Sequence, residues 1–161
     1  MDTVYIETSI VSHATAWPSK DPLTAILQQQ AKQWWEDERT HYRLVTSQFV
    51  LNEAADGDAD AARRRLEMLD GIPLLLHTEQ VETIAEEIIR RSLMPEKAKL
   101  DALHVASAAV GKVHYLLTQN CKHIANAHVL PRVYDLLEEL GVPRLLICTP
   151  AEFLGGSNDV E

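Results

Sequence analysis

Three carboxylates and one amide stand in stretches of sequence that are otherwise apolar. Glu7 ends the run VYI in VYIETS, Glu53 lies in SQFVLNEA, Asp101 enters LDALHVASA, and Asn120 closes YLLTQN. An ionised carboxylate removed from water must be paired, hydrogen-bonded or placed on a metal. Acids embedded in this way point to convergence on one cation. The candidate ligands are hard oxygens, and no Cys or His cluster offers itself to zinc, so the ion that fits is Mg2+ or Mn2+. Three charges from Glu7, Glu53 and Asp101 suffice for one tightly held ion with several retained waters.

Each position also has a plain structural reading. Asp101 is equally a helix-start acid favoured by the macrodipole, Glu53 a rim residue of an amphipathic helix, and Glu7 one half of an ion pair. Asn120 is a common turn residue after a strand. His104, one turn after Asp101, reads as a packed histidine rather than a ligand. Trp34 and Trp35 read as core with one ring at the rim, with a partner interface as the second reading.

The elements that would position these groups alternate. Residues 3–8 read as a buried strand, 21–38 as a helix with apolar residues at helical spacing, and 42–47 as a strand. Ser47 is the expected N-cap of a helix over 48–56. A second helix follows over 58–70, stopped by Gly71 before a strand IPLLLH at 72–77. Thr78 opens a helix running to about Leu93, ended by Met94-Pro95. The helix at 100–110 has scarcely any polar face and is expected to be buried. Then come a strand at 114–118, a short HIANA turn, a helix at 129–140 with Pro131 in its first turn, and a strand at 144–149. Strands separated by helices predict an α/β fold, with a mainly parallel sheet covered on both faces. In such a sheet ligands bind outside the carboxyl ends of the strands, where Glu7 and Asn120 both fall. A single domain over 1–154 is expected, with tail composition over 155–161.

The chain has 161 residues, enough to bury one core without disulfides. Two cysteines, no run approaching a membrane span, and acids where a signal peptide needs Lys or Arg make a cytoplasmic protein the expectation. The net charge of −9 argues against a broad phosphate-binding surface. Arg63, Arg64, Arg65, Lys97, Lys99 and Lys122 remain available for a basic patch.

Taken together and in this order, VYIETSIVS, SQFVLNEA, DALHVASA and YLLTQN resemble the four motifs of the PIN-domain family of metal-dependent nucleases, especially its VapC-like toxin ribonucleases. The likeness covers almost the whole chain and implies a PIN-like three-layer α/β/α sandwich. It departs from the family's usual pattern at two positions, with Glu7 where an Asp is usual and Asn120 where the fourth acid stands. The resemblance implies a Mg2+- or Mn2+-dependent endoribonuclease with Glu7, Glu53, Asp101 and Asn120 as catalytic residues. Glu7, Glu53 and Asp101 would hold the metal, with Thr8, Ser9 and Thr118 in support. It further implies an RNA substrate, an antitoxin partner and a homodimer. The alternative is a PIN fold that binds RNA or protein without turnover, because its fourth acid is gone.

Overall fold

The computed structural model describes residues 1–156. Among them, four short parallel strands form one sheet in the order β2-β1-β3-β4. These are β1 (Thr3–Ile6), β2 (Arg43–Val45), β3 (Tyr115–Leu117) and β4 (Leu146–Cys148). Val4 aligns with Leu44 on one side and with Tyr115 on the other, and Tyr115 in turn aligns with Leu146. The strands therefore all finish at one edge.

Eight helices connect and cover them: α1 (Thr8–Thr15), α2 (Pro22–Asp37), α3 (Gln48–Ala54), α4 (Ala59–Leu69), α5 (Glu79–Arg90), α6 (Lys99–Val110), α7 (Leu130–Glu139) and α8 (Pro150–Gly156). Right-handed crossovers decide their sides. The step from β1 to β2 runs one way across the sheet, while the steps from β2 to β3 and from β3 to β4 run the other. The first connection, α1 and α2, thus lies on one face, and the connections holding α5, α6 and α7 lie on the opposite one. The α/β/α layering expected from the alternation is what the chain adopts.

Local chemistry places the ends as read. Ser47 caps α3, Thr78 caps α5, and Asp58 caps α4 through the Ala61 amide. Gly71 and Gly141 have φ of +78 and +75, a conformation that stops the preceding helix at no steric cost. Helix α6 is buried from Ala102 through Ala109 and packs chiefly on α5.

Three readings are corrected. The first strand stops at Ile6, and α1 takes Thr8, which was read as strand, together with residues 9–15, which sequence left unassigned. Residues 72–77 make only one bridge, Leu74 to Thr46. Pro73 has no amide hydrogen to extend a ladder, and Leu74 and Leu76 face solvent. Trp34 and Trp35 are both buried, so neither offers a rim; the exposed indole is Trp17. The tail expected over 155–161 overlaps α8 at Gly155 and Gly156, and its remainder, 157–161, lies outside the described residues.

Candidate metal centre

Glu7 leaves β1 at the carboxyl edge and immediately caps α1. Its Oε2 accepts the Ser9 amide at 3.0 Å, and its Oε1 accepts the hydroxyls of Ser9 and Thr118. Each hydroxyl is itself held by a backbone donor of the β3 loop. Gln119 N–H donates to Ser9 Oγ at 2.7 Å, and Asn120 N–H to Thr118 Oγ1 at 3.0 Å. The carboxylate is thereby fixed from two strands at once. It is 4 % exposed, and no Lys, Arg or His pairs with it among the described residues.

Glu53 comes from α3, whose start is set by Ser47 directly after β2. Its Oε1 accepts Thr8 Oγ1 and His104 Nε2, both at 2.6 Å. Burial raises the Glu53 pKa, but the hydrogen bond and charge of His104 and the Thr8 hydroxyl outweigh it and hold the group below the ordinary carboxylate value. Glu7, Glu53 and His104 each offer a ligand atom within 4.8 Å of the others. Both His104 nitrogens are already engaged, Nδ1 by the Tyr5 hydroxyl and Nε2 by Glu53. The donor set open to an ion is therefore two carboxylates. That set fits a hard divalent cation that keeps much of its water.

Asp101 lies outside this group. It sits in the first turn of α6, one turn before His104, and its Oδ2 meets His123 Nδ1 at 2.9 Å. Asn120 joins the same arc, its Oδ1 accepting the His123 amide at 3.0 Å. That bond orients the side chain so that its NH2 is the end with no hydrogen bond among the described residues. A continuous circuit results. Glu7 connects through Thr118 and Asn120 to His123 and Asp101, helix α6 carries on to His104, and Glu53 and Thr8 return to the residue beside Glu7. The structure thus bonds Glu7 to Ser9 and Thr118 and Glu53 to Thr8, brings the two carboxylates within 4.8 Å of each other, and joins Asp101 and Asn120 to them through His123 and Thr118.

Two members were not singled out from sequence as site residues. His104 was read as packing; the available signal was an imidazole in a helix with no polar face. His123 carried none beyond its closeness to Asn120. The suggested basic patch is largely consumed. Arg63 and Arg64 pair with Asp60, and Arg65 donates to the Ala54 and Asp56 carbonyls. Lys99 pairs with Glu82, while Lys97 and Lys122 are exposed without ion pairs among the described residues.

No family model matches the chain, and no curated protein matches it. Among solved structures, the fold is similar to that of a chain in the crystal structure of VapBC2 from Rickettsia felis bound to a DNA fragment from their promoter. The alignment covers 91 % of this chain and 98 % of that one, with 15 % identity and a TM-score of 0.50. At this identity the likeness is one of fold, and it agrees with the PIN-like architecture that the four motifs implied.

Proposed function

We propose that the chain is a Mg2+- or Mn2+-dependent endoribonuclease of the PIN type, acting in the cytoplasm as the toxin of a toxin–antitoxin pair. One observation carries the reading. Two acids from distant segments, Glu7 and Glu53, meet within 4.8 Å at the carboxyl edge of a parallel sheet, where such folds bind their ligands. Glu7 and Glu53 would hold the ion, with Asp101 reaching it or its waters from the rim. When bound, the metal supplies Lewis-acid polarisation of a phosphoryl oxygen and lowers the pKa of a water.

The chain's own groups do the rest. Glu7 is held rigid by its three donors, so its position survives substrate entry. Glu53 presents Oε2, which makes no hydrogen bond among the described residues, to the ion or to the attacking water. The Asn120 NH2 is a neutral donor for a phosphate oxygen where a fourth acid would repel it. Lys97 and Lys122 supply the positive charge that draws a single strand toward an acidic protein. For an antitoxin or a second copy of the chain, Trp17, Leu23 and Ile26 offer exposed apolar surface at α1 and α2.

The test is incubation of purified protein with single-stranded RNA and Mn2+. Cleavage is expected, with loss in EDTA and in Glu7→Gln, Glu53→Gln and Asp101→Asn. Cleavage that persists in all three variants places the activity elsewhere. The pairing of Asp101 with His123, and the neutral Asn120, favour a second reading, a PIN fold that binds RNA or protein without turnover. Bound but intact RNA in Mn2+ would select it.

A further inference from the structure

Glu53 is held from behind by a line of buried groups that the proposed cleavage does not itself use. Behind it stands His104, fully buried, its ring edge-on to Tyr5 and Phe49. The Tyr5 hydroxyl lies 2.8 Å from His104 Nδ1 and 2.6 Å from Ser47 Oγ, which in turn accepts the Val50 amide at 3.4 Å. These four residues come from β1, the β2–α3 junction, α3 and α6. They share one line because the sheet and the two helices pack there.

The direction of the line follows from its end. An ionised carboxylate only accepts, so His104 Nε2 carries a hydrogen toward Glu53 Oε1 in either protonation state of the ring. In the neutral ring Nδ1 must then accept, and the Tyr5 hydroxyl is its hydrogen-bond partner, so the phenol donates to it and accepts from Ser47. Tyr5 is fully buried, and Ser47 and His104 hold its hydroxyl from two sides. Thr8 adds a second donor to the same Oε1. Both bonds land on one oxygen, which turns the other outward. A glutamate free of them would sample several rotamers at the margin of a helix.

We infer that Ser47, Tyr5 and His104 form a built-in positioning relay that locks the Glu53 carboxylate and presents Oε2 beside Glu7 as a cation ligand. His104 is thus a positioning residue, neither core filler nor a ligand. The inference rests on the metal reading above for the identity of what Oε2 faces.

The experiment measures Mn2+ affinity of the full chain by electron paramagnetic resonance, with melting temperature as the check on folding. Loss of an outer partner of a ligand typically costs about 10–100-fold in metal affinity, and His104→Leu is expected to fall in that range. His104→Gln, whose amide can donate from the Nε2 position, is expected to restore most of it. Tyr5→Phe removes a single oxygen atom, is expected to fall between, and serves if the His104 variants do not fold. Folded His104→Leu or Tyr5→Phe protein that binds Mn2+ as tightly as wild type overturns the relay, as does His104→Gln no better than His104→Leu. Wild type that binds Mn2+ yet cleaves no RNA removes the nuclease reading alone and leaves the relay standing.

Discussion

Glu7→Gln separates what the first acid does for the fold from what it does for a cation. The amide oxygen can take the place of Oε1 and keep the Ser9 and Thr118 hydroxyls, but the NH2 group then faces the Ser9 amide, donor against donor. An orphaned buried N–H costs about 2 kcal/mol, and weakening two charge-assisted bonds to neutral ones costs about 1 kcal/mol each. Against this, removing one of two charges within 4.8 Å relieves about 1–3 kcal/mol of repulsion, depending on how well water screens the pair. The net expectation in EDTA is a loss of about 2 kcal/mol, or roughly 4–8 °C in melting temperature for a chain of this size. In Mn2+ at a hundred times the wild-type Kd, wild type gains about 2.7 kcal/mol while the variant gains little. The gap should then widen to about 5 kcal/mol. Thermal and urea unfolding in both conditions measure it. A gap that is the same in EDTA and Mn2+ makes Glu7 a helix cap and nothing more. No gap in EDTA refutes the three-donor nest.

Crowding of three carboxylates would make Asp101→Asn stabilising, but the structure pairs Asp101 with His123 and sets it in the first turn of α6. The substitution should therefore lower metal-free stability by about 1 kcal/mol, read as a lower urea midpoint at an unchanged slope. Glu53 has a folded pKa below its unfolded value, so the stability it contributes is fully present above the ordinary carboxylate pKa of about 4.3 and is lost as pH falls through the lower folded value. The stability difference between wild type and Glu53→Gln should accordingly shrink as pH falls below about 4; a difference that does not change between about pH 5 and 3 contradicts the assignment. Tyr134→Phe should cost about 1–2 kcal/mol, because the Tyr134 hydroxyl accepts the Ile147 amide at 2.9 Å on the outer side of edge strand β4. Faster aggregation on heating should accompany it, since an edge N–H is exposed.

Much of the architecture was legible because it is written in local chemistry. Ser47, Asp58 and Thr78 cap the helices they precede, and the all-apolar run at 100–110 is the buried α6. Helix α1 was missed because Ile10, Val11 and the threonines around them favour extended backbone, while the signal that overrides them is tertiary. Glu7 caps α1 only because Thr118 and Ser9 hold its carboxylate in place. The strand at 72–77 was read from three leucines whose hydrophobicity cannot reveal that Pro73 limits its pairing beside β2 to the single bridge at Thr46. At the site, the sequence marked Glu7 and Glu53 by their apolar surroundings, but their approach to within 4.8 Å depends on the order β2-β1-β3. His123 could not be found by any spacing rule, since its bond to Asp101 crosses from the β3 loop to the start of α6.

Their donors distinguish the pair of acids at the sheet edge from the arginine-paired carboxylates of this chain. Asp60 and Glu87 are each met by two arginines, which cancel their charge. Glu7 is met by two hydroxyls and an amide, and Glu53 by a hydroxyl and an imidazole whose far side is bonded to a phenol. Hydroxyls and amides fix where a carboxylate points without removing its negative charge. If the acids served only to tie β1, β3 and α3 together, an arginine would neutralise them at less cost in buried charge. A pair of carboxylates oriented by hydroxyls, an amide and one imidazole, with Glu53 Oε2 unbonded among the described residues, is instead an arrangement that a hard cation would complete.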